Sequence, residues 1–471
     1  MKRHFCFLMV LLLLFTGLLS ASEDEKQMTI NGFWNFDYRF LLGNDYEDTP
    51  YYDLYSRLRL RLHTDVSENI AAEVSGDFRL YGSSSISTLD DLSDPSAFYT
   101  TDAMIWEAYL DVYNLGLEGL DFRIGKQRIA WGTADKMNPT DNLNPYDLAN
   151  FFDFGEHIPT LAIKADYTIS PEFTAELVWL PAMKPALLPK DSSILIGGGF
   201  DSLLSGVLPL IGGSMGGITI GESQVNVSVP PYDLSHSMQA AKLKGVIGNV
   251  DFSVSWFHGY NDLPVPVSIT LTPSADDATT LVPVMETGYF EYHCAGLDFA
   301  GELAGIGWWA EGALFFPVEE QTVSITIPSA ESSTGTETFI STLWDTDPWF
   351  KVTVGFDYTF ASGTYINFQY VHGLFNERGE SEDLNDYFIG KIEQKFSHDK
   401  LKIGIAAAYA IVDWDDISNN NGLLLNPEIQ WLPYESLELS LGAYLINAEG
   451  EGFFSSIETL DMIYLKAKID F

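Results

Sequence analysis

Apolar and polar side chains alternate one by one along most of this chain, the period of strands whose two faces meet different surroundings. In 54–65, LYSRLRLRLHTD sets Leu54, Leu58, Leu60 and Leu62 on one face. Tyr55, Arg57, Arg59, Arg61 and His63 take the other. In 348–360, Phe350, Val352, Val354, Phe356, Tyr358 and Phe360 oppose Lys351, Thr353, Asp357 and Thr359. Alternation and turn residues predict strands near 29–41, 52–65, 70–82, 103–114, 120–130, 158–168, 172–181, 238–248, 249–259, 287–299, 304–316, 348–360, 363–373, 386–396, 400–412, 422–432, 436–447 and 458–471. Most have the roughly 9–11 residues with which a tilted strand crosses a bilayer.

The connections alternate too. Short turns, as at Ser67–Asn69, Ser170–Pro171 and Ser397–Asp399, take turns with long loops at 83–102, 131–157, 182–237, 260–286 and 317–347. An even strand number with strictly alternating short and long connections predicts an all-β fold, a transmembrane antiparallel β-barrel of about 18 strands. Both termini then lie on the periplasmic side and the long loops outside the cell. So wide a barrel cannot fill its interior with strand side chains, so the apolar face looks out to lipid and the polar face in to water. Trp34, Trp106, Trp179, Trp256, Trp308, Trp309 and Trp431 suit interfacial girdles.

The ends refine the picture. Lys2 and Arg3 precede an apolar run from Phe5 to Leu19 and the small residues Ser20-Ala21-Ser22, which reads as a signal peptide over 1–22. Residues 23–471 then form one barrel domain. Cys294 is the one cysteine of that domain, so no internal disulfide is expected. At the other end Ile463, Leu465, Ala467, Ile469 and Phe471 share one face. The formal charge of −41 comes with 14% aromatic residues, which excludes a disordered acidic chain.

The final strand resembles the C-terminal signal of outer-membrane barrels, which implies the barrel-assembly machinery as a partner through Phe471. The segment Arg123-Ile124-Gly125-Lys126-Gln127-Arg128-Ile129-Ala130-Trp131-Gly132 resembles one in large porin-like and alginate-export-type channels. That resemblance implies a single-chain channel in the bacterial outer membrane, among outer-membrane lipid and lipopolysaccharide.

Candidate chemistry is uneven along the chain. Arg39, Arg57, Arg59, Arg61, Arg79 and Arg123 fall on inward faces, and barrel closure adds Lys466 and Lys468. Such a basic wall suits anionic solutes. Asp37, Glu73, Asp77, Glu107 and Asp111 on the same strands offer the alternative of cross-strand pairing. Lys126 and Arg128 fall on the outward parity, which places them at the rim or at a bulge.

The loop after Trp131 holds two Asn-Pro-x-Asp turns, with Asn138 and Asp141 in one and Asn144 and Asp147 in the other. A long loop so rich in turn chemistry is expected to fold into the barrel mouth and constrict it, with Asp135 among its acids. Those acids are also the one candidate for Ca²⁺; no other metal or cofactor is expected. The apolar stretch 194–220 is a second candidate plug, an interfacial segment, a route for apolar solutes or simple packing over the mouth. His293 and Glu291 read as an inward acid–base pair.

No nucleophile elbow, zinc-protease or phosphate-loop motif occurs, so no enzyme is expected. Nor does an acidic chain of this kind suit nucleic acid. The expected function is an outer-membrane porin passing small or anionic solutes through a water-filled barrel. A transporter for hydrophobic compounds and a structural or adhesive surface protein are the alternatives.

Overall fold

The structure, a computed structural model, describes residues 28–42, 52–82, 100–150, 152, 154–189, 219–221, 223–274, 277, 280–328, 332, 335–379, 384–450 and 452–471. The expected signal peptide and nearly all of 194–220 lie outside these residues.

Eighteen strands close into one antiparallel barrel. They are Met28–Leu41 (β1), Tyr52–Ser67 (β2), Ile70–Tyr81 (β3), Thr100–Val112 (β4), Leu120–Gln127 (β5), Thr160–Ser170 (β6), Phe173–Leu180 (β7), Met238–Ile247 (β10), Val250–Tyr260 (β11), Glu291–Leu303 (β14), Ile306–Pro317 (β15), Trp349–Thr359 (β18), Thr364–His372 (β19), Asp386–Phe396 (β20), Leu401–Ile411 (β21), Asn421–Tyr434 (β22), Leu437–Glu449 (β23) and Met462–Asp470 (β24). Each expected strand corresponds to one of these. β24 pairs with β1 from Phe33–Asp470 to Leu41–Met462, and Phe471 exchanges backbone hydrogen bonds with Gly32.

Closure leaves no free edge, and the side chains are distributed inside out. Leu60, Ile124, Leu177, Val254, Leu297, Val354, Ile405, Leu441 and Leu465 point outward and are exposed. Along β3, by contrast, the buried positions from Glu73 to Arg79 are Glu73, Ser75, Asp77 and Arg79. An exposed apolar belt around a buried polar interior is stable only in lipid. No helix among the described residues is long and apolar enough to cross a membrane; the strands do the crossing.

Several expectations need correction. The loops expected at 182–237, 260–286 and 317–347 contribute a second sheet of six strands. These are Thr219–Ile220 (β8), Gln224–Val227 (β9), Val265–Pro273 (β12), Thr280–Gly288 (β13), Gln321–Pro328 (β16) and Thr336–Trp344 (β17). Two near-copies build its centre. Val-Ser-Ile-Thr recurs at Val267–Thr270 and Val323–Thr326, and the copies pair in parallel, Ser268 with Ser324 and Ile269 with Ile325. Their apolar face, with Leu281 and Met285, forms a buried core.

A register shift opposite Val74 and Gly76 turns both Trp106 and Glu107 inward, so Trp106 is no girdle residue. Trp309 is also buried inside, where its Nε1 donates to Gln369 (3.0 Å). His293 and Glu291 face outward, because Tyr292 and Cys294 are the buried parity of β14. The last strand begins at Met462, not 458, since 453–460 turns helical inside the barrel.

Candidate functional site

The inside of the barrel is not evenly filled. Inward side chains near the short turns stay half-exposed, whereas those nearer the long connections are buried. Loop 131–157 accounts for the difference.

Its local chemistry bends it as expected at the first turn, where Asp141 N donates to Asn138 O (3.1 Å). The second Asn-Pro-x-Asp folds otherwise. Asp147 N donates to Glu156 O (2.8 Å), making a narrow hairpin bridged at Tyr146 and His157. Asn144 anchors the hairpin base, donating to Gln127 O, Ile158 O and Thr160 Oγ1 (3.0–3.2 Å) and accepting from Ile129 N (2.8 Å). The strand β5 stops at Gln127, so Arg128 escapes outward parity and bonds Asp141 within the loop (2.9 Å). Its Nη2 lies 3.2 Å from His157 Nδ1, which also sits 3.3 Å from the Gly155 carbonyl. Burial holds the His157 pKa below the ordinary imidazole value.

From there the loop reaches around the barrel. Toward β1–β3, Asp147 pairs with Arg79 and Glu156 with Arg57 and Arg59 (2.9 Å to Arg59). Asp77, on β3, completes that cluster: Arg57 (2.9 Å), Arg59 (3.4 Å) and Arg79 (2.9 Å) all converge on it. Trp106 underlies it, with the Arg59 guanidinium 3.8 Å from its ring centre. Toward β7, the Trp131 Nε1 donates to Glu176 (2.6 Å), which also takes Lys244 (2.5 Å).

Across the lumen the key group is Glu311 on β15. Its carboxylate accepts from Thr133 N (2.8 Å), Ala134 N (3.1 Å), Asn138 Nδ2 (3.1 Å), Thr140 N (2.9 Å) and Thr140 Oγ1 (2.7 Å). Farther round, Gln369 brackets the backbone of Asp135 (3.0 and 3.1 Å), and Thr353 donates to Met137 O (2.7 Å). Phe152 stacks on Tyr444 of β23, ring centres 4.4 Å apart. Beside it a second inward segment, Phe453–Ser456 with Ile457, packs with Val371, Tyr387 and Ile446, and Met137 and Phe152 border that core.

The expected site residues therefore divide. Arg39, paired with Asp37 (2.6 Å), and Arg57, Arg59 and Arg79 lie buried between wall and loop. Arg61 (43% of its side chain exposed), Arg123 and Lys468 (43%) face the open half, and Lys466 lies over the Tyr464 ring (4.5 Å). The same half holds a groove of about 130 Å³ lined by Lys391, Glu393, Lys402, Asn426, Glu428 and Gln430. The loop carboxylates offered to Ca²⁺ are turned apart: Asp141, Asp147 and Glu156 each face an arginine. Among the described residues no group of three such ligands converges.

Sequence reasoning passed over Glu311, Glu176 and the segment around Phe453, and placed Trp106 in a girdle. The Phe453-Phe454 pair just after Gly450 and Gly452 was the one available signal for that segment. Nothing local marks Glu311, whose partners lie more than 170 residues away in the chain.

Comparisons place this geometry. A family model described as a protein of unknown function (DUF1302) matches residues 23–214. No curated protein matches the sequence. Among solved structures, the chain is similar to a BenF-like porin from Pseudomonas fluorescens Pf-5, at 9% identity, covering 96% of this chain and 100% of that one, with a TM-score of 0.51. OccAB4 of Acinetobacter baumannii gives 7% identity over 96% and 99%, TM-score 0.49. OpdK of Pseudomonas aeruginosa, solved with vanillate, gives 9% over 94% and 98%, TM-score 0.49. The first of these likenesses carries the fold, an 18-stranded porin-like barrel.

Proposed function

We propose that the protein is an outer-membrane channel for small solutes, narrowed by loop 131–157. The observation that carries this reading is the division of the lumen. A half lined by exposed charge leads to a half crossed by a loop bonded to both sides of the barrel, which is how a pore acquires a constriction. Anionic solutes are favoured in the open half, to which Arg61, Arg123, Lys391, Lys402, Lys466 and Lys468 all belong.

Replacing 133–155 by a short Gly-Ser linker tests the reading. The ladder does not include these residues, so the barrel still assembles, and single-channel conductance in planar bilayers rises severalfold. Conductance equal to the parent's, with normal assembly, would sink the constriction. The apolar core around Phe453 and Phe454 supports a second reading, passage of an apolar solute. Under that reading uptake of a hydrophobic probe, not ion current, responds to Phe453→Ser.

A further inference from the structure

The groove in the open half of the lumen has an internal order that a basic wall does not explain. Every residue from 384 to 450 is described, so the strands that build it, β20 to β22, are seen whole. Ile392, Ile403, Ile405 and Ile429 are exposed on the outer face, which turns the alternate residues inward. Register then stacks two inward rows. In one, Glu393 stands opposite Gly404, and Gly404 opposite Glu428. In the next, toward the short turns, Lys395 stands opposite Lys402, and Lys402 opposite Gln430. An acidic row thus lies over a basic row, about 7 Å apart along the strands. Gly404 leaves the floor bare between two carboxylates whose strands are about 10 Å apart. A Cβ there would stand 3.0 Å from the Ile392 carbonyl oxygen.

The opposite charges are held apart rather than joined. Glu428 accepts from Gln430 Nε2 (2.7 Å) and from the Tyr464 hydroxyl (2.8 Å), both neutral donors, and meets no cation among the described residues. Tyr464 is 1% exposed and takes a further bond from Asn426 Nδ2 (2.9 Å), so it fixes that carboxylate in place. Lys402 lines the same groove and has no side-chain partner among the described residues. Glu393 shares its charge with Lys391 (2.9 Å). A simple anion drawn to Lys402 meets repulsion from Glu393 and Glu428, and a simple cation meets the reverse. A solute carrying both charges is attracted at each end.

We infer that this groove binds one small zwitterion of the α-amino acid type. Its ammonium lies over Gly404 between Glu393 and Glu428, and its carboxylate meets Lys402 Nζ, with Lys395 as a second cation beside that end. The groove holds about 130 Å³. At about 30 Å³ per water that equals about four waters, room for alanine and too little for an aromatic amino acid to enter whole. For this groove the inference narrows the small solutes of the channel reading to those with both charges. Passage of the solute rests on that reading; the binding does not.

Saturation-transfer NMR of the intact protein in detergent tests the site, with L-alanine titrated beside lactate and isopropylamine, each of which keeps one of its two charges. Alanine should bind saturably and at least tenfold tighter than either. Lys402→Met should weaken alanine at least tenfold without changing isopropylamine, and Lys402→Arg should restore most of the loss. Glu428→Gln should weaken alanine to a similar degree without weakening lactate. If that variant fails to assemble, Glu393→Gln, on the other side of Gly404, should show the same pattern more weakly. Asp413→Asn, in the turn after β21 at the far end of the strands, should change nothing. Lactate or isopropylamine binding as tightly as alanine overturns the inference. So does the absence of saturable alanine binding, or alanine binding indifferent to Lys402→Met and to the glutamate variant. Conductance of the same preparation separates the two readings. A protein that conducts but does not bind alanine loses the groove site alone, and one that binds alanine without conducting loses the channel.

Discussion

Arg57 and Arg61 stand four residues apart on one strand, on one face, yet live in different halves of the barrel. Arg57 is almost fully buried, bonded to Asp77 and Glu156. Arg61 keeps 43% of its side chain in water beside Glu73 (3.2 Å). Two inward positions further from the short turns change the role of the same residue type. In the filled half, guanidinium forks match carboxylates and tolerate burial, so they hold the loop. In the open half charge stays partly hydrated, as at Lys391 and Lys468, whose side chains are 42% and 43% exposed. The comparison teaches that depth along the strand, not the basic wall as such, separates structural charge from charge that meets a solute.

The largest expected effect comes from removing the anion on which the filled half converges. Asp77→Ala leaves Arg57, Arg59 and Arg79 short of a shared partner in a buried site. Stability should fall by about 3–5 kcal/mol, read as the midpoint of heat-induced unfolding on gels. The matching change in the open half, Glu393→Gln, breaks the partly exposed pair with Lys391 (2.9 Å) and should cost about 1 kcal/mol. Equal losses would erase the distinction between the halves.

Next comes the loop's anchor. Glu311→Ala removes the acceptor for five donors, each worth about 1–3 kcal/mol when buried and unsatisfied. Water entering beside the freed loop recovers most of that, so the effect appears in motion. Open-channel noise and mean conductance should both rise while the unfolding midpoint moves little. A quiet, unchanged current would mean that Gln369, Thr353 and the arginines hold the loop without it.

How much of this was legible beforehand follows from the range of each interaction. Period-2 alternation is local, and closure needs only that it repeat, so all 18 barrel strands could be read. The second sheet carried the same signal in Val-Ser-Ile-Thr, but its strands sat where a barrel pattern demands loops. Loop 131–157 announced its bends through Asn-Pro-x-Asp, since turn chemistry is local; its partners on β15 and β19 were unreadable, because no residue near Glu311 points to Thr140. Parity failed where the ladder slipped. One extra residue near Trp106 turned an expected girdle tryptophan into the floor of the arginine cluster, and taking the wrong face of β14 as inward reversed His293 and Glu291.

A smaller effect is expected from the open half's lysines. Lys402→Glu with Lys466→Glu changes the sign of two hydrated charges that face the lumen. Ion selectivity should move toward cations, seen as a shifted reversal potential under a salt gradient, with assembly unchanged. The same measurement on Arg59→Gln should show loss of stability first, because that charge is already neutralised within the protein.

Arg61 should give the smallest response and the finest division between the halves. Its partners Glu73 and Glu107 are themselves largely buried, with Glu107 at 4.0 Å, so it has one foot in the filled half. Its own exposure screens both contacts, which limits the stability cost of Arg61→Gln to about 0–1 kcal/mol. As a lumen charge it should also contribute to selectivity, in the same direction as the lysines but more weakly, since Glu73 cancels much of its field. Measuring both quantities on one variant decides where the boundary runs. A loss close to that of Asp77→Ala, with an unchanged reversal potential, would place Arg61 in the filled half and move the boundary toward the short turns. A small loss with a measurable shift leaves it between Arg59 and Arg61, a single step of the ladder.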